Sequence, residues 1–538
     1  FMNRLDQTLL VASLFAPLAL LGACFFRGWR ERALGLQWLA PLPAFAAALL
    51  VLSRGPVTCD LPVVGFTLFL DASGALILVV AALLWIFVTA ALWHDGRPDN
   101  RFGVSWLLTM CGNIGVFIAG DLVSFYLFYA LVSIPAYGLF SFSEDAEQKR
   151  AGAVYMAFTI AGEALLLLAF AMLAAGEPHG SIRIEDVMAT LAESPWHNAI
   201  LALVIAGFGM KIGTVPFNGW MPLTYKAAPI AAAAVLSGAG VKAGVIGLIR
   251  FLPLGVPMTG WGDVLLALGF FSAFYGVGIG LTQNNPKVVL AYSSISQMGV
   301  IMAALGAVLA EGRADLSGDI AFYAANHLLV KAALFLAIVP LVDAGLKPAR
   351  LIIAAILALS LAGLPLTGGA LAKLALKTPL SGEWEALLAT LSSIGTAILM
   401  THFLNCLAAQ RPASFQDRPA SFVRYWPAVA IGAILLPWLL YPVVGDVWKA
   451  LEFGNLLDGF WPIVVGAALA VAQSRSGLSL PRVPAGDTVV LYEQAFSRIL
   501  TVGSWLERSE SCLRQWPAAG ISLLLIVLSL LAAGIASP

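Results

Sequence analysis

Apolar runs of about 20 residues, each long enough to cross the hydrocarbon core of a bilayer as a helix, recur from one end of this 538-residue chain to the other. Nothing else in the sequence restricts the fold so tightly. Lipid offers no hydrogen-bond partner to exposed backbone, so a spanning segment is either a helix or a strand of a closed barrel. The runs are unbroken and lack the alternation of barrel strands, which excludes a barrel. The expected fold class is an all-α polytopic membrane protein. Charged residues make up 11% of the chain, less than half of the roughly 25% usual in a soluble domain. The 30 basic residues are matched by 30 acidic ones, so there is no positive field for nucleic acid, and the lipid bilayer is the expected surrounding. Cys24, Cys59, Cys111, Cys406 and Cys512 stand singly, without the spacing of a disulfide framework, an iron–sulfur centre or a redox site.

Reading at about 20 residues per span gives roughly 16 segments, centred on Pro17, Pro43, Val80, Gly112, Phe128, Ala164, Ile205, Gly240, Phe271, Met298, Leu328, Leu361, Ile394, Ile434, Val465 and Ile526. The first run has no small-residue cleavage site behind it and reads as a retained span. Two stretches between spans read as interfacial, Ile182–Glu193 and the longer amphipathic Gly486–Trp516. Alternate loops differ in basic residues. One set holds Arg27, Arg30, Arg32, Arg97, Arg101, Lys149, Arg150, Lys226, Lys287, Lys347, Arg350, Arg411, Arg418, Arg424, Arg475 and Arg482. The other holds little beyond Arg4, Arg54, Arg183, Arg313 and Lys449. The basic set is expected to be cytoplasmic, which places both termini outside and the stretch containing Arg498, Arg508 and Arg514 on the cytoplasmic face.

A charge inside a span costs a few kcal/mol, about 3 on the lenient scale, so each one demands a reason. Glu163, Lys211, Lys242, Lys331 and Lys373 lie deep in apolar sequence, with His327 and His402 nearby. Any one of them could be a snorkelling or ion-paired structural residue; as a set they read as an ion pathway. Lys211 lies in Ala206–Pro216, an apolar span interrupted by three glycines and by Pro216 after the lysine, and Lys373 follows a second interruption at Ala362–Gly369. Proline removes a donor and breaks the helix, and the mirrored order of charge and break is that of an inverted repeat with discontinuous helices. Glu163, one span before Lys211, is the natural counter-ion. Lys242 stands where it could receive a proton, and His327 and Lys331, spaced i and i+4, share one helix face. Ser293, Ser294, Ser296 and Gln297 supply polar groups able to order water. No nucleotide loop, haem-ligand pair or zinc cluster is present, so no cofactor is expected. The chain is expected to move something rather than to make or break bonds.

At these residues a family resemblance emerges. Gly209–Pro222, Ala228–Pro229 and Gly240–Gly244 resemble the signature of the proton-conducting membrane transporter family, the antiporter-like subunits of complex I, Mrp antiporters and membrane-bound hydrogenases. Pro286–Gly299 and Asn326–Phe335 resemble two further family blocks, and the likeness covers roughly Asp71 to Cys406. The resemblance implies 14 core helices and two inverted five-helix repeats, 104–252 and 262–404, as half-channels, with N-terminal helices over 1–103 and C-terminal ones over 424–474. It also implies a lateral helix over 486–516 and a last span over 517–538. Lys211 matches the family's central lysine, Lys242 the connecting lysine, His327 and Lys331 the relay of the second half, and Lys373 the terminal charged residue. The family's usual fifth-span glutamate is replaced by Ala130, and a usual histidine by Gln297. Either Glu163 takes over the missing pairing or the first half-channel is altered. The implied function is translocation of protons or Na+ within a larger redox-driven or antiporter complex of a bacterial inner membrane, alongside other membrane subunits. Energising inorganic-carbon uptake with a soluble zinc partner, and a degenerate scaffold, are the alternatives.

Overall fold

A computed structural model describes residues 2–62, 65–94, 99–141, 145–342, 347–410, 420–476 and 481–495. The chain divides into two units, Phe1–Ala485 and Gly486–Pro538. Of the second unit only 486–495 is described, with helical backbone from 487 onward. Most of the expected lateral helix, with Arg498, Arg508, Cys512 and Arg514, lies outside the described residues, as do the last span with Ile526 and the loop residues Arg97, Arg411 and Arg418.

The first unit is a helical bundle. After α1 (Met2–Cys24) come a short polar helix, α2 (Arg27–Gly35), and α3 (Leu42–Arg54). An antiparallel hairpin, β1 (Val57–Leu61) and β2 (Phe66–Leu70), leads to α4 (Ala72–His94), α5 (Asn100–Ile118), α6 (Leu122–Ser133) and α7 (Ala146–Gly176). Next are α8 (Ile184–Leu191), α9 (His197–Ile212), α10 (Trp220–Ala227) and α11 (Ile230–Val235), the last continuing through a π-helical turn, Leu236–Gly240, into α12 (Val241–Phe251). Then follow α13 (Thr259–Gly280), α14 (Pro286–Glu311), α15 (Ser317–Val342), α16 (Pro348–Ala362), α17 (Gly368–Leu376) and α18 (Glu383–Ala408). The described helices of this unit end with α19 (Ala420–Leu440), the single turn α20 (Val447–Ala450) and α21 (Phe453–Ser476).

Among the described residues 13 helices are long and apolar enough to cross a membrane, and two shorter apolar helices, His197–Ile212 and Pro348–Ala362, accompany them. The expected centres from Pro17 to Val465 each fall on one of these helices. The stretch expected at an interface, Ile182–Glu193, contains α8, which buries Ile184, Val187 and Leu191 along one face. The hairpin was not foreseen: each strand has five residues, too short to register against a helix-length window.

Burial is graded across the bundle. The apolar windows of Ile230–Phe251, Pro286–Glu311 and Ala314–Val342 are wholly buried, whereas that of α21 is only 22% buried and that of α7 33%. The helices carrying Lys242, His327 and Lys331 therefore form the centre. Local rules agree with this placement. The central α14 starts where Asn285 accepts the Lys287 amide at 2.9 Å, with Pro286 at its first position. Lys287, counted with the loop lysines, is instead buried, and its Nζ donates to the Ala228 carbonyl at 2.6 Å. Arg250 also went unnoticed in the sequence. Its guanidinium donates to the carbonyls of Ala119 at 2.5 Å and Phe117 at 2.6 Å, satisfying backbone acceptors where α5 ends. Ion pairs tie neighbouring ends together: Arg54–Asp6 at 3.0 Å and Arg183–Asp60 at 2.8 Å on the side poor in basic residues, and Lys226–Glu147 at 2.5 Å on the basic side.

Candidate functional site

The two sequence interruptions are built alike. α9 ends at Gly213, whose φ of 71° is left-handed, and Thr214 returns its amide to the Gly209 carbonyl at 3.1 Å. α16 ends at Gly363, with φ of 101°, and Leu364 returns its amide to Leu359 at 3.1 Å. Both are Schellman-type ends, and the left-handed position costs other residues about 1 kcal/mol or more. Backbone groups released by the breaks are recovered locally. The Trp220 indole donates to the Met210 carbonyl at 2.8 Å, the Val215 amide to Ser272 Oγ at 3.0 Å, and the Gly369 amide to Ser360 Oγ at 3.1 Å. Each break also brings a lysine to the C-terminal end of a half-helix, where the helix dipole favours a cation. Lys211 is in the last turn of α9. Lys373, on α17, runs its stem past the end of α16: a Cβ built on Gly363 would lie 2.7 Å from Lys373 Cδ.

Lys211 is enclosed. Its Nζ donates to Ser133 Oγ at 2.7 Å and lies 5.7 Å and 6.0 Å from the ring centres of Tyr129 and Tyr155. The Tyr155 hydroxyl donates to the Ser133 carbonyl at 2.8 Å and so fixes the serine's backbone. The space left, bounded by Tyr129, Tyr155, Met210 and Trp220, is ≈ 10 Å³, about that of one water. Glu163 is buried on α7 nearby. Among the described residues it makes no ion pair with Lys211, and its Oε1 has no hydrogen-bond partner. Ala130, which replaces the expected glutamate, is one turn before Ser133 on α6. A neutral hydroxyl thus holds the ammonium where a carboxylate was expected.

The centre of the site joins the two halves of the chain. Lys242, fully buried at the start of α12, places Nζ 2.6 Å from His327 Nδ1, with the Ser237 carbonyl at 3.5 Å. With Lys242 as the donor, Nδ1 accepts and the hydrogen of the imidazole sits on its other nitrogen, Nε2. That Nε2 is buried and has no hydrogen-bond partner among the described residues. Lys331 shares the helix face of His327, as the spacing predicts, and donates to the Leu290 carbonyl at 2.8 Å. The same oxygen accepts from Ser294 Oγ at 3.1 Å. Ser293 Oγ and Ser296 Oγ are buried without partners among the described residues.

Lys373, by contrast, faces a cleft. Its ammonium donates to Ser393 Oγ, and the cleft beyond it, ≈ 500 Å³, is walled by α17, α18 and α21. Four residues beyond Lys373, at the C-terminal cap of α17, Lys377 donates to Asp458 Oδ2 and Asn455 Oδ1, each at 2.8 Å, and these three also line the cleft. Its inner wall includes Tyr323, one turn before His327 on α15. Tyr323 donates to Gln297 Oε1 at 2.5 Å, and the Gln297 amide donates to Thr396 Oγ1 at 3.1 Å. Gln297 therefore spans α15 and α18 as a fixed, non-titrating link.

Lys242 and His327 are in direct contact; Lys331 is one turn from His327; Lys211 with Glu163, and Lys373 with its cleft, flank that centre. His402 stands apart, its Nε2 2.7 Å from the Gln283 carbonyl. Ser133 and Tyr323 were overlooked. Both carried a signal: Ser133 lies one turn from Ala130, and Tyr323, His327 and Lys331 form an i, i+4, i+8 stripe.

Comparison with known proteins places this geometry in a family. Residues 119–401, more than half of the chain, match the family described as NADH:quinone oxidoreductase/Mrp antiporter, TM. The chain is 28% identical over 289 residues to hydrogenase-4 component B of Escherichia coli, covering 50% of this chain and 42% of that protein. It is 30% identical over 366 residues to NADH-quinone oxidoreductase subunit N of Heliobacterium modesticaldum, covering 64% and 75%. It is also 30% identical over 281 residues to a probable K(+)/H(+) antiporter component of Rhizobium meliloti, covering 51% and 27%. It thus spans less than half the length of the first and third of these relatives. In fold it is similar to a chain of the Mrp complex from Dietzia sp. DQ12-45-1b, with a TM-score of 0.74 at 20% identity over 99% of this chain and 63% of that one. It is likewise similar to a chain of the membrane-bound sulfane sulfur reductase, an archaeal respiratory membrane complex, with a TM-score of 0.65 at 22% identity, covering 88% and 99%. A multi-pass membrane protein with these broken helices and this matched segment, the chain belongs to the NADH:quinone oxidoreductase/Mrp antiporter membrane family.

Proposed function

We propose that this chain translocates protons, or Na+, along the polar residues Glu163, Lys211, Lys242, His327, Lys331 and Lys373, as one membrane subunit of a larger redox-driven or antiporter complex. The relatives named above, which are components of a hydrogenase, of a quinone oxidoreductase and of an antiporter, support that setting. Residues 104–252 and 262–404 serve as the two half-channels. Supporting their inverted relation, α9 starts on the face poor in basic residues and α16 on the basic face. The basic face is cytoplasmic in this reading, both termini lie outside, and the host membrane is a bacterial inner membrane.

The observation that carries the proposal is the 2.6 Å contact of Lys242 Nζ with His327 Nδ1. It joins a titratable group of each half at the buried centre. Imidazole can take a proton on one ring nitrogen and release one from the other. Here Nδ1 receives from Lys242, and the Nε2 hydrogen leaves toward the buried hydroxyls and Lys331. The unpartnered polar atoms along the way, Ser293 Oγ, Ser296 Oγ, Asn326 Oδ1 and Ser392 Oγ, are what a hydrated path requires of its walls. The Lys373 cleft then forms the outer port. No observation favours carbon uptake or a scaffold role. The test is ion pumping by the assembled complex in vesicles, with assembly checked in parallel. Lys242→Ala and His327→Ala should each lower the rate by about 100-fold or more. Native pumping in both would sink the proposal.

A further inference from the structure

The direction in which Lys242 points is decided just before it. Residues Leu236–Gly240 form a π-helical turn between α11 and α12, and Lys242 is the second residue after it. A π turn takes up one residue more than an α turn, so everything beyond it is rotated by about 100° relative to an unbroken α-helix. The contact with His327 exists in the π register and would be lost in the α register. Yet the turn is intrinsically soft, because two of its five residues, Gly238 and Gly240, are glycines with little helix preference. Something outside the helix has to hold it.

Asn113 of α5 is placed to do so. It is fully buried, and its Nδ2 donates at 2.9 Å to the carbonyl of Ala239, inside the π turn. Its Oδ1 accepts at 2.9 Å from the Trp85 indole of α4. An indole N–H can only donate, so Trp85 fixes which end of the amide is oxygen and leaves Nδ2 to face Ala239. Packing closes the other side: a Cβ built on Gly238 would lie 2.8 Å from Leu84 Cδ2 and 3.3 Å from the Leu328 carbonyl, one residue from His327. A three-member chain, Trp85–Asn113–Ala239, therefore clamps the turn from two neighbouring helices.

We infer that Asn113, oriented by Trp85, is a positioning residue for Lys242, holding the π register in which the lysine meets His327. This inference rests on the proposed relay, and its test separates the two. Asn113→Leu keeps the approximate shape and removes both hydrogen bonds, while Trp85→Phe removes only the orienting donor. In assembled complex Asn113→Leu should lower ion pumping by about tenfold or more, as expected when a transfer partner is misplaced by an ångström or so. The pH profile of pumping should shift with it, because the proton-accepting partner of Lys242 has changed. Trp85→Phe should give a smaller change of the same kind. Lys242→Ala is run alongside. If Lys242→Ala is inactive while both variants keep the native rate and profile, the positioning role is overturned and the relay stands. A lower rate with an unmoved profile overturns it too, since that is what merely loosened packing would produce. If Lys242→Ala pumps normally, the relay itself falls and the positioning role with it. Should Asn113→Leu fail to assemble, Trp85→Phe decides: a shifted profile supports the inference and a native one overturns it.

Discussion

Lys211 and Lys373 occupy corresponding places, each against the C-terminal end of a broken helix and each donating to one serine, yet their surroundings are opposite. Around Lys211 the free space is ≈ 10 Å³ and the walls are aromatic; around Lys373 it is ≈ 500 Å³ and reaches charged residues. Burying an ammonium is offset differently in each. Lys211 relies on the rings of Tyr129 and Tyr155, worth about 0.5–2 kcal/mol apiece, and on the end of α9. Lys373 keeps a roomy cleft, with Lys377, Asn455 and Asp458 in its lining, in which water can do that work. The difference teaches that two similarly built breaks give their lysines contrasting surroundings. Lys211 sits in a tight aromatic pocket, whereas Lys373 opens on a roomy cleft, as the proposed port requires.

Removing either charge should have the largest effect. Lys211→Ala and Lys373→Ala should each reduce ion pumping in vesicles by about 100-fold or more while assembly persists. Full pumping in both would remove the transport reading for either half. Accessibility comes next. With Cys59 and Cys512 replaced by Ser, a cysteine introduced as Lys373→Cys should react with a membrane-impermeant thiol reagent about tenfold or more faster than Lys211→Cys, because the space beside it is far larger. Equal rates would erase the contrast between the tight and the roomy pocket.

The serines sharpen the comparison further. Ser133 makes the one hydrogen bond described for the Lys211 ammonium, and no room is left for a replacement beyond about one water. A hydrogen bond to a charged group contributes about 1.5–3 kcal/mol, so Ser133→Ala should slow pumping by about tenfold. Ser393→Ala, at the corresponding bond of Lys373, should cost about threefold or less, because water in the cleft can take over the lost hydroxyl. Initial pumping rates of the two variants, side by side, decide it; equal losses would mean that the cleft around Lys373 is effectively dry.

How much of this was readable in the sequence differs from residue to residue. The spans were legible because a 20-residue apolar run has few uses outside a bilayer. Lys211, Lys242, Lys331 and Lys373 stood out because a charge there demands compensation, and the breaks because glycine and proline punctuate helices. Ser133 and Tyr323 were not legible in the same way. A serine or tyrosine in a span is cheap to bury when bonded, so neither raises an alarm. The Lys242–His327 contact was hidden for another reason: 85 residues separate its members, and only the packing of α12 against α15 brings them together. Arg250 escaped because it lies near the end of its span, where an arginine ordinarily reaches water; here it turns inward to the carbonyls at the end of α5.

The smallest effect should come from the mouth of the Lys373 cleft. Lys377, four residues after Lys373, caps the C-terminal end of α17; it carries the same charge and lines the same cleft. A reading from sequence spacing alone would rank the two lysines equally. Their exposure separates them: Lys373 is half-buried and donates to Ser393, whereas the side chains of Lys377 and Asp458 are 49% and 59% exposed. An exposed ion pair contributes about 0–1 kcal/mol and weakens in salt, so Lys377→Ala or Asp458→Asn should change pumping by about fivefold at most. Any such change should fade as ionic strength rises, since the field of the pair at the cleft mouth is screened. Pumping rates of both variants at low and at physiological salt provide the check. A loss as deep as that of Lys373→Ala, and insensitive to salt, would mean that the mouth is as much a part of the pathway as Lys373, and the port would then begin at Asp458 rather than at Ser393.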